Sequence, residues 1–144
     1  MVVKRLVLCG SMSLAKEMLD IKAKVETMYP DISVEVPGGA EVCASYINAN
    51  DKLERAEDKI ANDWIRHHWS FIKDSDAILV VNSPKCGVEN YIGANSFMEM
   101  GFAHVLNRRI FILHDIPELE FYCDEIVAMK PICLHGELSK LKSN

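Results

Sequence analysis

Short runs of apolar residues alternate along this chain with longer segments in which apolar residues recur every three or four positions. The run 77–81 (AILVV) has no polar residue, which is typical of a central strand buried on both faces. After the first apolar run, 4–9, apolar residues recur at the three- and four-residue steps of a helix, at Leu14, Met18, Ile21, Val25 and Met28. This alternation of strands and helices predicts an α/β protein.

The same pattern predicts one domain, residues 1–144. We expect strands at 4–9, 32–36, 77–81, 109–113 and 132–134, and helices at 14–28, 53–73, 96–106 and 122–129. Segments 40–51 and 82–95 have no clear period and are predicted to be loops. Right-handed crossovers then favour a doubly wound, flavodoxin-like parallel sheet with strand order 2-1-3-4-5.

Two loops should meet at the carboxyl edge of this sheet. Ligands of doubly wound sheets bind where the strand order reverses, here between the strand ending at Cys9 and the strand ending at Asn82. The first loop either contacts an anion through N–H groups and hydroxyls or only turns the chain and caps a helix; its residues are Cys9, Gly10, Ser11, Met12 and Ser13. It has neither G-x-G-x-x-G nor a P-loop lysine, so neither a dinucleotide nor a triphosphate is indicated.

The second loop leads into a helix that is predicted to begin at Ser96. Ser96 and Glu99 have the spacing of a capping box, in which the Glu99 carboxylate bonds to the Ser96 backbone. Alternatively, the helix N-terminus keeps Glu99 ionised beside a ligand, and an ionised carboxylate can attack the anomeric carbon of a sugar. On the second interpretation, Asn82, Gly93, Asn95 and Ser96 contact the substrate.

The helix before the central strand contains two adjacent histidines. His67 and His68 recur with Trp64 and Phe71 at helical spacing, so both are expected near its inward face. A histidine there either packs in the core or transfers protons near neutral pH. The aromatic residues of segment 64–69, and Tyr46, either pack in the core or stack on a nucleobase.

Composition narrows the class of protein. Lysine and arginine total 16 against 21 acidic residues, a formal charge of −5, which argues against a nucleic acid polymer as partner. No apolar run approaches the roughly 20 residues that cross a bilayer, so a cytoplasmic protein without a membrane partner is expected. The five cysteines form no C-x-x-C pair, so reduced thiols are expected, and neither a metal site nor another cofactor is indicated.

Three short motifs are LCGS at 8–11, DAILVV at 76–81 and EMGFA at 99–103. In order and spacing, over about residues 4–135, the chain resembles the nucleoside 2-deoxyribosyltransferase-like family, which includes 2′-deoxynucleoside 5′-monophosphate N-glycosidases. The resemblance implies that Glu99 attacks C1′ and releases the base, while an acid on the helix before the central strand protonates the base. In the register set by Asp76, that position holds His68, with Asp63 and His67 one turn away.

The chain departs from the family's pattern at four positions. Val7 stands where a tyrosine often orients the glutamate, and Asn95 replaces a common glycine. Ser13 and Gly93 stand where monophosphate-specific members have an arginine and a serine. Serine and glycine offer only dipoles and backbone donors to an anion, so we expect at most a modest preference for a 5′-phosphate.

The predicted function is cleavage or exchange of the N-glycosidic bond of a nucleoside or nucleoside monophosphate, through a glycosyl-enzyme intermediate on Glu99. His68 or Asp63 is the expected acid–base partner. The resemblance also implies a homodimer or higher homo-oligomer, in which Tyr122 and Cys123 contact the neighbouring subunit's site. A non-catalytic nucleotide-binding or sensor module of the same fold is the main alternative, and a flavin or nicotinamide reductase is a third.

Overall fold

A computed structural model of the chain describes residues 2–45, 56–118 and 120–142. The strands in these ranges are β1 (Arg5–Gly10), β2 (Ser33–Glu35), β3 (Ala77–Val81), β4 (Arg109–Ile112) and β5 (Ile132–Cys133). They pair in parallel in one sheet of order β2-β1-β3-β4-β5. The predicted flavodoxin-like α/β fold, including its strand order, is confirmed.

Helices cover the sheet. They are α1 (Ala15–Met28), α2 (Ala40–Ala44), α3 (Ala56–Ala61), α4 (Trp64–Lys73), α5 (Ala94–Val105) and α6 (Cys123–Ala128), with 3₁₀ turns at Met12–Leu14 and Leu138–Lys142. Within the described ranges, no helix is long and apolar enough to span a bilayer.

Side chains of the strands alternate between two cores, as the two-residue period of a strand requires. Leu6 and Leu8 of β1 belong to the core under α1. Val7 and Cys9 belong to the opposite core, which α4 and α5 cover together with α6. Cys9 therefore points toward α4 and α5 at the carboxyl end of β1, the strand that the sequence predicted to end at this residue.

The prediction of a loop at 40–51 is wrong for its first five residues, because residues 40–44 form α2. Ala40 and Cys43, three positions apart, are buried against Met12 and Ala15. Tertiary packing of this kind stabilises a helix too short to form alone, and it leaves no clear period in five residues. Ser45 is a turn residue at the end of α2, and Tyr46 and the other residues of the predicted loop, 46–51, lie outside the described residues.

The single helix predicted at 53–73 is two helices, α3 and α4, in the described part from residue 56 onward. Asp63 interrupts them with a φ of 47°, in the left-handed region that Asp and Asn adopt more readily than most residues. Beyond the break, α4 buries His68 and Ile72. His67 is exposed, so the expectation that both histidines face inward is wrong for His67.

Candidate active site

Glu99 lies in α5 with its side chain only 6% exposed. The helix begins at Ala94 with Gly93 as its N-cap, two residues before the predicted start at Ser96. Asn95, one helical turn before Glu99, donates a hydrogen bond from Nδ2 to Glu99 Oε1 at 2.8 Å. Glu99 Oε2 is buried and has no hydrogen-bond partner among the described residues.

This arrangement bears on the two interpretations of the Ser96 and Glu99 pair. Ser96 is not the N-cap, and the partner shown for the Glu99 carboxylate is the Asn95 amide rather than the Ser96 backbone. The helix is therefore not capped by the predicted box, because it starts earlier than the box requires. A buried carboxylate with one unpaired oxygen remains to be explained by something other than capping.

His68 on α4 and Cys9 on β1 complete a buried cluster with Glu99. His68 Nε2 lies 3.7 Å from Glu99 Oε1 and 3.5 Å from Cys9 Sγ. The cluster forms because α4 packs beside α5 over the face of the sheet to which Cys9 points. The three side chains thus come from three elements far apart in the sequence.

Burial determines the charge of Glu99. It raises the pKa of Glu99 from the usual 4.5 to about 7, against the opposing effects of the Cys9 and Asn95 hydrogen bonds and the charge of Lys59. The expectation that the helix N-terminus keeps Glu99 ionised is therefore wrong for the free protein below about pH 7. The loss of hydration outweighs the favourable groups around it.

Burial also shifts the pKa values of the other two groups. Burial, and then the neighbouring His67, lowers the pKa of His68 from 6.5 to about 4, although the Leu8 carbonyl acts in the opposite direction. The pKa of the Cys9 thiol is raised, first by burial and then by Glu99. Imidazole and thiol are therefore both neutral near pH 7.

A cavity of about 220 Å³ opens above this cluster at the carboxyl edge of the sheet. Its walls combine backbone, aromatic rings, two lysines and the buried carboxylate; they are Gly10, Ser11, Met12, Pro37, Gly38, Lys59, Trp64, Ile65, His68, Lys85, Tyr91, Gly93, Ala94, Asn95, Ser96 and Glu99. A concave site with a few convergent polar groups and a perturbed carboxyl is the usual form of an active site.

Gly10 brings the first loop close to the sheet. A Cβ at this position would lie 3.2 Å from the Val81 carbonyl oxygen and 3.2 Å from Met18 Sδ, so a larger residue would move the loop. The Ser11 hydroxyl, next along this loop, lies 3.0 Å from that of Ser13 and accepts a hydrogen bond from Lys85 Nζ at 2.6 Å. This end of the cavity combines a cation with hydroxyls and suits an anionic group.

Sequence reasoning missed Lys85, Lys59 and Tyr91. Lys85 and Tyr91 belong to the segment after β3, which has no helical or strand period, so only the topological convergence of the two loops could have indicated them. Trp64 lines the cavity, which agrees with a stacking surface, whereas Trp69 is not among the lining residues.

Several predicted site residues lie elsewhere. The Asn82 side chain is fully buried and forms hydrogen bonds with the backbone of Asn90, Asp115 and His114. It therefore links the segments that follow β3 and β4, and it is not among the residues that line the cavity. The Asp63 side chain is 58% exposed, pairs with Arg66 at 3.2 Å, and is not among the lining residues. These placements correct the expectation that Asn82 and Asp63 lie at the site.

The remaining predictions concern Ser13 in the first loop and the start of α6. Ser13 lines a separate groove along α1, and its hydroxyl lies 3.0 Å from that of Ser11, which lines the first cavity. The Tyr122 hydroxyl donates to the Ile92 carbonyl at 2.6 Å, and Cys123 is partly exposed. Their predicted role across a subunit interface stays a prediction.

No protein-family model matches the chain, and no curated protein matches it. The functional assignment therefore depends on the geometry of the site. That geometry offers a buried carboxylate for reaction at an electrophilic carbon, an imidazole beside it, aromatic walls for a planar group, and a lysine for an anion.

Proposed function

We propose that this protein cleaves or exchanges the N-glycosidic bond of a nucleoside or nucleoside monophosphate, with Glu99 as the nucleophile. The observation that supports the proposal is the Glu99 carboxylate, which lines the cavity at the carboxyl edge of the sheet and has an oxygen without a partner among the described residues. Because this oxygen has no hydrogen bond to break, the side chain can turn it toward a bound sugar.

The reaction proceeds in two displacements. A Glu99 oxygen forms a bond to C1′ while the C1′–N bond breaks, and the electron pair of that bond leaves with the base. Water, or the nitrogen of a second base, then attacks C1′, and the ester bond to Glu99 breaks to restore the carboxylate. The buried carboxylate is poorly hydrated in its ionised form, so its reaction with a cationic sugar carbon relieves an unfavourable charge.

The departing base takes up a proton. Of the two acid–base candidates, His68 lines the cavity and Asp63 does not. His68 is neutral in the free protein, so we assign it the transfer of the proton that Glu99 holds below a pKa of about 7: the proton passes from Glu99 through the imidazole to the base, and Glu99 is left as the carboxylate that attacks C1′. The 3.7 Å between His68 Nε2 and Glu99 Oε1 also places the imidazole where it orients the nucleophile.

Substrate recognition follows from the walls of the cavity. Trp64 and Tyr91 provide rings that can contact a planar base. Lys85, bonded to Ser11, provides the cation that Ser13 and Gly93 do not, and we assign it the 5′-phosphate of a monophosphate substrate. Assembly as a homo-oligomer, and a cytoplasmic location, are parts of the same proposal.

The test is a product assay. The protein is incubated, in chelator, with a panel of nucleosides and monophosphates, with and without a free second base, and the products are separated by chromatography. We expect release or exchange of the base by the wild type and a loss of at least about a thousandfold in Glu99→Gln. Binding without any base release would instead support the sensor alternative and refute the proposal.

A further inference from the structure

Cys9, His68 and Glu99 place a sulfur, a nitrogen and an oxygen ligand within 4.8 Å of one another. The Cys9 Sγ to His68 Nε2 distance is 3.5 Å, and the His68 Nε2 to Glu99 Oε1 distance is 3.7 Å. Ligand atoms bonded to a tetrahedral zinc ion at about 2.0–2.3 Å lie roughly 3.3–3.6 Å apart. The two distances from His68 match this geometry closely, and the separation of the Cys9 and Glu99 ligand atoms, at most 4.8 Å, would need to shorten by up to about 1 Å.

We propose that Cys9, His68 and Glu99 bind a thiophilic divalent cation, and that Zn²⁺ fits this ligand set best. A thiolate and an imidazole select zinc over magnesium or calcium, which prefer oxygen ligands at higher coordination number. The fourth position of a tetrahedral ion would face the cavity, since His68 and Glu99 both line it.

Two features of the surroundings support a bound cation. Glu99 Oε2 is fully buried without a partner among the described residues, and a cation held by both carboxylate oxygens would satisfy it. Asn95 donates to Glu99 Oε1 at 2.8 Å, which is how outer-shell groups orient a coordinating carboxylate. When the Sγ–Zn bond forms, the thiol proton leaves to solvent, so coordination requires no oxidant or further reactant.

The cation would regulate the reaction. Coordination uses the carboxylate lone pairs that attack C1′, so the metal-bound protein is inactive until the metal is removed. This consequence rests on the proposed function, whereas metal binding itself does not.

The test uses the full-length protein freed of metal by a chelator and dialysis. Zn²⁺ is titrated in competition with a chromophoric chelator, and Co²⁺ is titrated separately while the near-ultraviolet absorption of a thiolate–cobalt bond is recorded. We expect about one ion per chain, with Cys9→Ser lowering the Zn²⁺ affinity at least about a hundredfold and abolishing the Co²⁺ band. The matched control is Cys43→Ser, a buried thiol in α2 outside the cluster, which should leave both unchanged.

If circular dichroism shows that Cys9→Ser does not fold, the Zn²⁺ affinities of His68→Gln and Glu99→Gln test the site instead, because each variant also removes one ligand. Absence of Zn²⁺ binding in the wild type, or binding that none of the three variants weakens, overturns the proposal. Metal binding is measured without nucleoside, and base release is measured in chelator, so failure of one proposal is distinguishable from failure of the other. Base release that persists with one bound Zn²⁺ overturns the regulatory part alone.

Discussion

Replacing Glu99 by glutamine should stabilise the protein as pH rises, while it abolishes the reaction. In the unfolded chain this carboxyl loses its proton near pH 4.5, whereas the folded chain keeps it until about pH 7. Between these values the folded state binds more protons, so the free energy of unfolding of the wild type falls as pH rises. The shift of the Glu99 pKa from 4.5 to about 7 corresponds to a loss of about 3 kcal/mol in the free energy of unfolding. Glutamine carries no charge and avoids this loss.

The assay is chemical denaturation of the wild type and Glu99→Gln from pH 4 to pH 8, in chelator so that no metal contributes. The variant's advantage should grow from near zero at pH 4 to about 3 kcal/mol at pH 8. Near pH 8 it should appear as roughly a 10 °C higher midpoint of thermal unfolding. Glu89→Gln removes an exposed carboxylate and is the control, with no comparable trend expected. A stability difference between wild type and Glu99→Gln that does not change with pH would refute the reasoning.

Four further variants test other parts of the account. Lys85→Met should reduce kcat/KM for a monophosphate by about 10- to 100-fold and leave the free nucleoside nearly unaffected, as steady-state kinetics on both substrates will show. His68→Gln should slow release of a natural base far more than of an activated base, and Asp63→Asn should slow neither. Asp76→Asn should cost about 1–2 kcal/mol at pH 7, because Asp76 accepts backbone N–H groups at 2.8 and 2.9 Å. Burial raises the pKa of Asp76, but the two backbone hydrogen bonds, together with nearby positive charges, outweigh it and the pKa is lowered from 3.8. The stability difference between wild type and Asp76→Asn should therefore vanish in denaturation curves taken well below pH 3.8, where Asp76 is protonated.

The sheet could be predicted because its strands are short apolar runs, the longer helices between them have apolar residues every three or four positions, and handed crossovers leave few ways to connect them. The same topology brought Gly10, Ser11 and Glu99 to one edge. The break at Asp63 could not be seen, because the apolar period continues across it and only the backbone turns. Lys85 was missed for a related reason, since a loop side chain that reaches another loop leaves no spacing in the sequence.

The protonation state of Glu99 also could not be predicted from the sequence. The position of Glu99 near a helix start suggested a stable carboxylate, but its pKa depends on how completely α4, α5 and β1 exclude water. Cys9 illustrates the same limit. Its thiol was one of five without a paired motif, and only the packing of three elements brings it to His68.

A covalent adduct on Glu99 tests the central claim most directly. The protein is incubated with a 2′-fluoro nucleoside that has an activated base, because the electron-withdrawing fluorine slows an oxocarbenium-like reaction and lets the intermediate accumulate. After acid quenching and proteolysis, mass spectrometry should find the fluorosugar on the peptide that contains Glu99, in the wild type and not in Glu99→Gln. Release of the base from this substrate with the Glu99 peptide unmodified would contradict the account.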